Sequence, residues 1–282
     1  MTYDLRGKVV LITGAAGGIG AATAQALYDG GASLVLTDTA QAAVDGLAAR
    51  FSGDRVLPLA LDVTDAAATR EVVRRTVERF GRLDVCFANA GIAWCDAPAT
   101  IAGCDPAEFE RIVEVDLFGV WRTVRASLPE VIRNQGQVLI TASIYAFLNG
   151  MANSPYAASK AAVEMFGRAL RVELAGTGAT ASVLYPGWVT TPMTRMVFGG
   201  HDTATKFLQT ALPAFLRQPI RPEAVAAAVI QGLASRQPRI IVPARWALFS
   251  MMRGVFNALS DRYLAGNRRL NSIVRELERG PS

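Results

Sequence analysis

The stretch SPYAASK, residues 154–160, holds one of only three lysines in the chain (Lys8, Lys160 and Lys206); arginine supplies every other basic residue of the 29. Tyr156 stands four residues before Lys160, and on a helix positions i and i+4 share one face. An ammonium about 4 Å from a phenol, at an effective dielectric of about 20, favours phenolate by about 4 kcal/mol before desolvation. That carries a phenol with a pKa of roughly 10 toward neutrality. A tyrosine so placed is a candidate general acid and base. Lysine suits the task because it is a compact point charge on a slim stem, whereas arginine is a broad planar fork.

A second chemical feature lies near the start. TGAAGGIG, Thr13 to Gly20, follows an apolar run and precedes a helical pattern. Glycines let the backbone turn sharply and approach a pyrophosphate, and a helix N-terminus adds unpaired N–H groups and a positive dipole end. Asp38 closes the next apolar run. A carboxylate there accepts hydrogen bonds from adenosine ribose hydroxyls and repels a 2′-phosphate. Gly17, Thr39 and Ala40 are neutral, so no cation is offered to such a phosphate, and NAD is expected rather than NADP. Capping of a following helix by Asp38 is compatible with that role.

These residues need a scaffold. KVVLIT (8–13), SLVLTD (33–38), RVLPLALDV (55–63), LDVCFANAG (83–91), QVLITAS (137–143), TASVLYPG (180–187) and RIIV (239–242) read as strands. Their near-continuous hydrophobicity suits parallel strands buried on both faces. Helical patterns fill roughly 18–30, 41–51, 65–80, 106–133, 155–176 and 221–236. The alternation predicts an α/β fold with a Rossmann-type, doubly wound parallel sheet of about seven strands. Residues 1–244 read as one dinucleotide-binding catalytic domain. An insertion, 188–220, is expected to cover a ligand. Residues 245–282 form an amphipathic C-terminal extension in which Trp246, Phe249, Phe256, Leu259 and Tyr263 recur at near-helical spacing, with a break at Gly266-Asn267.

TGxxxGIG, then ANAG (88–91), then Ser143, then Tyr156-x3-Lys160, followed by PGWVTT, resembles the short-chain dehydrogenase/reductase family. The likeness runs from about Gly7 to Val242. It implies that Gly14, Gly18, Ile19 and Gly20 hold the pyrophosphate with Gly17 beside them, and that Asp38 holds the adenosine ribose. Asp62 and Val63 would meet the adenine. Asn89, Ala90 and Gly91 would flank the cofactor, and Pro186, Gly187, Val189 and Thr191 would fix the nicotinamide amide. Ser143, Tyr156 and Lys160 match the catalytic positions, with Tyr156 taking the alcohol proton, Ser143 stabilising the substrate oxygen and Lys160 also holding the nicotinamide ribose. One position departs from the family's pattern: VEVDLFGV carries Asp116 where such chains usually have Asn. Its carboxylate is expected to favour the charged form of Lys160 and to alter the pH profile.

The resemblance implies an NAD-dependent oxidoreductase, with an NADP-linked ketoreductase or a catalytically silent NAD-sensing protein as alternatives. Tyr145, Met151, Met193, Met196, Val197 and Phe198 fall where the family's substrate pocket is lined. Their apolar, adaptable character predicts a hydrophobic secondary alcohol or ketone, such as a steroid, terpenoid or lipid. His201 is the only histidine, and no metal site is expected. A homodimer or homotetramer through helices 106–133 and 155–176 is also implied.

Composition excludes several other classes. The net charge of +5 belongs mainly to residues 245–282, with seven Arg against three acidic residues, so nucleic-acid binding by the main domain has little support. Cys86, Cys95 and Cys104 form no paired spacing and read as free thiols of a reducing compartment. No signal-peptide pattern and no membrane-length apolar run is present, so a cytoplasmic location is expected. The basic amphipathic tail could also touch an anionic membrane, cover the substrate or join subunits.

Overall fold

The computed structural model describes residues 2–94 and 98–279, leaving the side chains of Met196, Leu277 and Arg279 outside the description; Cys95 also lies outside the described residues. Its first half runs β1 (Val9–Thr13), α1 (Gly18–Asp29), β2 (Ser33–Asp38), α2 (Gln41–Ala48), β3 (Val56–Ala60), α3 (Ala66–Phe80), β4 (Val85–Ala88), α4 (Pro106–Val113) and α5 (Val120–Arg133). Then follow β5 (Gln137–Thr141), α6 (Ser154–Glu173), β6 (Thr180–Pro186), α7 (Asp202–Ala211), α8 (Ala214–Arg217), α9 (Pro222–Ala234) and β7 (Arg239–Val242). The chain ends in α10 (Ala247–Met251), α11 (Arg253–Gly266) and α12 (Arg268–Arg279).

The strands form one sheet, all parallel, in the order β3-β2-β1-β4-β5-β6-β7. Side chains alternate across a strand, and here both sides are buried. Val9 and Leu11 of β1 enter one core, with Val72, Val124 and Val163 from α3, α5 and α6. Val10 and Ile12 enter the other, with Ala24 and Val225 from α1 and α9. This double burial is why the strands are written as unbroken apolar runs. The order reverses between β1 and β4, and the crevice at the strands' carboxyl ends there is where such sheets bind ligands.

A buried carboxylate locks the opposite end of the sheet. Asp84 accepts from Val9 N–H at 3.0 Å and from Arg82 Nε at 2.7 Å, and lies 3.3 Å from Lys8 Nζ.

The C-terminal extension is helical and joins the body early. Trp246, two residues past the boundary expected from sequence, is fully buried in the first core. Phe249 and Phe256 stack outward from it at 5.6 and 4.9 Å. Arg253 Nη1 reaches 2.8 Å to Glu164, a buried carboxylate on α6. The break expected at Gly266-Asn267 separates α11 from α12, and Leu270 and Ile273 of α12 are buried where it packs on α7.

Candidate active site

The site begins with how α6 is started. Pro155 occupies its first turn, where a missing N–H costs nothing. Asn153 precedes it without a side-chain cap, so Ser154 begins the helix rather than capping it. From there Lys160, Val163, Glu164 and Gly167 recur on the buried face. Lys160 is 2% exposed, and its Nζ donates to Thr141 O at 3.3 Å and stands 5.3 Å from the centre of the Tyr156 ring.

Asp116 supplies the counter-charge. Residues 106–133, which read as one helix, contain a π-helical segment at Glu114–Gly119 between α4 and α5. Such a turn re-aims side chains and recurs at functional sites. It places Asp116 at 0% exposure with a carboxylate oxygen 3.0 Å from Lys160 Nζ, while its other oxygen accepts from Ile92 N–H at 2.7 Å. Gly91 makes room for the pair, because a Cβ there would lie 3.1 Å from Lys160 Nζ and 3.3 Å from Asp116.

The electrostatics follow from this geometry. Burial alone would depress Lys160, but Asp116 and then Tyr156 hold it above its ordinary value. Burial raises Asp116, against the pull of Lys160 and of the Ile92 N–H. Burial likewise raises Tyr156; Lys160 opposes this, Asp116 adds to it, and a hydrogen bond with Ser143 opposes it, with a net upward direction. Spacing alone suggested a lowered phenol. The difference arises first because burial of the phenol outweighs the pull of Lys160, and then because the Asp116 carboxylate adds to the rise.

Ser143 follows β5, and its hydroxyl accepts from Tyr145 N–H at 3.2 Å, opening a short 3-10 turn at Ile144–Ala146. The Tyr145 ring then meets Tyr156 edge-on at 5.7 Å and Trp188 edge-on at 5.8 Å.

A long cleft of about 1860 Å3, its open mouth included, crosses the sheet at the switch point. Every cofactor position expected from sequence lines it, from the Gly14–Gly20 loop through Asp38, Asp62, Val63, Asn89, Ala90 and Gly91 to Pro186, Gly187, Val189 and Thr191. The residues fit a dinucleotide. Gly14 has φ +64°, and a Cβ there would sit 2.9 Å from Ala90 Cα. Gly17 precedes α1 without a side-chain cap, and Gly18, Ile19 and Gly20 of the first turn of α1 line the cleft. Asp38 closes the far end, accepting from Ala16 N–H at 3.1 Å and from Thr39 N–H at 2.9 Å; the residue before α2 is Ala40.

Sequence reasoning missed the supports of this cleft. The Thr13 hydroxyl accepts from Asn89 N–H and Ala90 N–H at 3.0 and 3.1 Å, and Thr141 donates to the Asn89 side chain at 3.1 Å. Thr13 opens the glycine motif and was visible; Thr141 carried no signal. Arg111, Glu114 and Val115 also line the cleft.

A second cleft, about 760 Å3 with its mouth, meets the first at Ser143 and Tyr156. Tyr145, Met151, Met193 and Val197 line it as expected, and Trp94, Trp188 and Phe207 join them. Trp188 was detectable as the residue after Pro186-Gly187, whereas Phe207 depends on how the insertion folds back. Phe198 does not line this cleft; its ring packs edge-on against Trp188 at 5.7 Å. The Met196 side chain lies outside the described residues. His201 precedes α7 as its cap, with Nδ1 accepting from Ala204 N–H at 3.3 Å. Among the described residues, no cluster of His, Cys, Asp and Glu has metal-binding geometry, and no helix is long and apolar enough to cross a membrane.

The chain is similar in sequence and fold to known proteins. The family described as short chain dehydrogenase matches residues 8–201. Cis-4-hydroxycyclohexanecarboxylate dehydrogenase of Sinomonas cyclohexanicum is 36% identical over 228 residues, covering 79% of this chain and 87% of that protein. A 3-oxoacyl-(acyl-carrier-protein) reductase of Thermotoga maritima is 34% identical, covering 67% of this chain and 77% of its own. The crystal structure of a short chain dehydrogenase/reductase from Burkholderia phymatum in complex with NAD superposes with a TM-score of 0.78 at 25% identity, covering 91% of this chain and 96% of that one.

Proposed function

The chain belongs to the short-chain dehydrogenase/reductase family of oxidoreductases, and on that premise we propose that it interconverts a hydrophobic secondary alcohol and its ketone with NAD(H). One observation carries the reading: Ser143 and Tyr156 line both the dinucleotide-shaped cleft and the apolar cleft, so they stand where the two contents meet. Among the described residues no charged side chain lines the apolar cleft, which favours an uncharged, apolar substrate body over a sugar or an acid.

When bound, the dinucleotide supplies the hydride acceptor or donor, and its oxidised ring adds a positive charge that favours phenolate. The protein does the rest. The backbone of the Gly14–Gly20 loop and the start of α1 take the pyrophosphate, and Asp38 takes the adenosine ribose. Ser143 donates a hydrogen bond to the substrate oxygen. In oxidation, Tyr156 as phenolate takes the hydroxyl proton; in reduction, Tyr156 as phenol gives it back. Lys160 holds the nicotinamide ribose hydroxyls and stabilises the phenolate. Asp116 keeps Lys160 charged and draws off part of its field.

Asp38 supports NAD over NADP, because its carboxylate would face a 2′-phosphate. A silent NAD-binding protein is the second reading, and Tyr156, raised first by burial and then by the Asp116 carboxylate beside Lys160, favours it. The name of the Sinomonas relative gives a cyclohexane ring alcohol that also bears a carboxylate; an alicyclic ring suits the apolar cleft here, whereas the charge does not. The exposed apolar side chains Phe118, Trp121, Met165 and Val172 on helices 106–133 and 154–173 suit a homo-oligomer interface. The exposed Leu248, Met251, Val255 and Leu259 of the tail would be the surface for any lipid contact, readable as flotation with anionic vesicles.

The test is a panel of secondary alcohols followed by NADH absorbance, run with NAD and with NADP. The proposal expects turnover of cyclohexanol and longer apolar alcohols, preference for NAD, and poor use of a small polyol. Comparable rates with polyol and apolar alcohol would sink the substrate class, and no turnover with intact NAD binding would favour the silent reading.

A further inference from the structure

Beside the apolar cleft lies a groove of about 570 Å3, its open side included. Four side chains line both spaces: Tyr145, Met151, Trp188 and Phe207. They form a partition rather than a floor. Tyr145 and Trp188 brace each other edge-on, while Met151 is the unbranched, adaptable member. The far wall of the groove comes from the C-terminal extension, through Ser260, Tyr263 and Leu264 of α11. Among the described residues no charged side chain lines the groove.

The extension is held against the catalytic body at several points. Arg253 meets the buried Glu164 on α6, eight residues past Tyr156 on the same helix. Asn149, in the loop carrying Met151, donates to Asp261 of α11 at 2.9 Å. Leu270 and Ile273 of α12 are buried against α7, the helix that presents Phe207 and Leu208 to the groove. A helix tied to the catalytic helix, the Met151 loop and the covering helix α7 is placed to shape what reaches Tyr156.

We infer that the groove under α11 is a distal substrate subsite, which receives an apolar arm extending from the reacting carbon past the Met151–Trp188 partition. This rests on the proposed oxidoreductase reading and deepens it. The substrate class becomes a secondary alcohol or ketone bearing an uncharged apolar chain or ring system too long for the first cleft. Ser260, Tyr263 and Leu264 set the length it accepts.

The experiment uses the full chain saturated with NAD and the series 2-butanol, 2-hexanol and 2-nonanol. Each methylene buried contributes about fourfold in kcat/KM. The three methylenes by which 2-nonanol exceeds 2-hexanol, entering the groove, therefore give it an advantage over 2-hexanol of about sixtyfold. Ser260→Phe from one wall and Ala211→Phe from the other fill the groove, and each is expected to cut that ratio at least tenfold. The ratio is internal to each variant, so a general loss of folded enzyme cancels. Calorimetric binding of 2-nonanol to the NADH-saturated protein gives a readout that needs no turnover, and Ser260→Phe should weaken it.

Turnover with a flat length dependence, or a ratio unmoved by both fillings, overturns the subsite and leaves the oxidoreductase reading standing. Binding of 2-nonanol that Ser260→Phe weakens, without turnover of any alcohol, overturns the oxidoreductase reading and leaves the subsite standing. A smaller assembly in sedimentation with an unmoved ratio would assign the groove to a second copy of the chain instead.

Discussion

The Lys160 ammonium lies 3.0 Å from the Asp116 carboxylate, and both side chains are buried. The same ammonium stands near Tyr156, so one cation serves two acids. Asp116 raises Tyr156 and Lys160 lowers it. Replacing Asp116 with Asn removes a negative charge beside the phenol, so Tyr156 should lose its proton at lower pH. Oxidation needs the phenolate, and its rate rises as Tyr156 deprotonates. The acid limb of the kcat/KM–pH profile for alcohol oxidation should therefore move to lower pH in Asp116→Asn. An unmoved limb would show that Asp116 does not act on Tyr156 through charge, and one displaced to higher pH would show that its main effect is to keep the buried Lys160 charged.

Gly91 offers a test by shape. A Cβ at that position would press on both Lys160 Nζ and the Asp116 carboxylate. Gly91→Ala should lower kcat by roughly ten- to hundredfold through misplacement of the lysine. Circular dichroism and NAD binding should show a folded protein. Wild-type kcat in Gly91→Ala would mean that the pair moves without consequence.

Much of this architecture was legible because its signals are local. The seven strands are short apolar runs, the five inner ones buried on both faces, and Leu11 and Ile12 show that pattern within one strand. Tyr156 and Lys160 declare themselves by i and i+4 spacing, and the Gly14–Asp38 end of the cleft by its place after two strands. The π segment at Glu114–Gly119 was not legible, because helical periodicity runs through it without a proline. Nor was the role of Phe207 or Tyr263 in the substrate side. These depend on how α7 and α11 pack across the sheet's edge, and no spacing within either helix encodes that. Phe198 shows the converse error: an apolar residue in the right segment turns onto Trp188 instead of into the cleft.

Cofactor choice turns on Asp38. Its carboxylate accepts from Ala16 N–H, so Asn is the gentlest replacement that removes the charge and keeps an acceptor. In Asp38→Asn the ratio of kcat/KM for NAD over NADP should fall by roughly tenfold or more, as the repulsive element against the 2′-phosphate is lost. Steady-state kinetics with both cofactors measure it. An unchanged ratio would place the discrimination elsewhere.

The anchor of the extension is equally open to test. Arg253→Ala leaves Glu164 buried without its cation, which costs about 3 kcal/mol, the low end for a broken buried pair because Arg253 keeps some water contact. For a chain of this size that corresponds to a fall of about 6–12 °C in the unfolding midpoint. Calorimetry should show it, with faster proteolysis near α11. A midpoint within 2 °C of wild type, on the order of the smallest such shift, would make the ion pair incidental.

The central claim is that Tyr156 moves the proton. Full-length Tyr156→Phe keeps the ring and its edge contact with Tyr145 and loses only the hydroxyl. NADH formation from an apolar secondary alcohol should fall by about 10²–10⁴ relative to wild type, while NADH binding measured by fluorescence titration stays within about threefold. A Tyr156→Phe enzyme that turns over within tenfold of wild type while binding NADH normally would contradict the account.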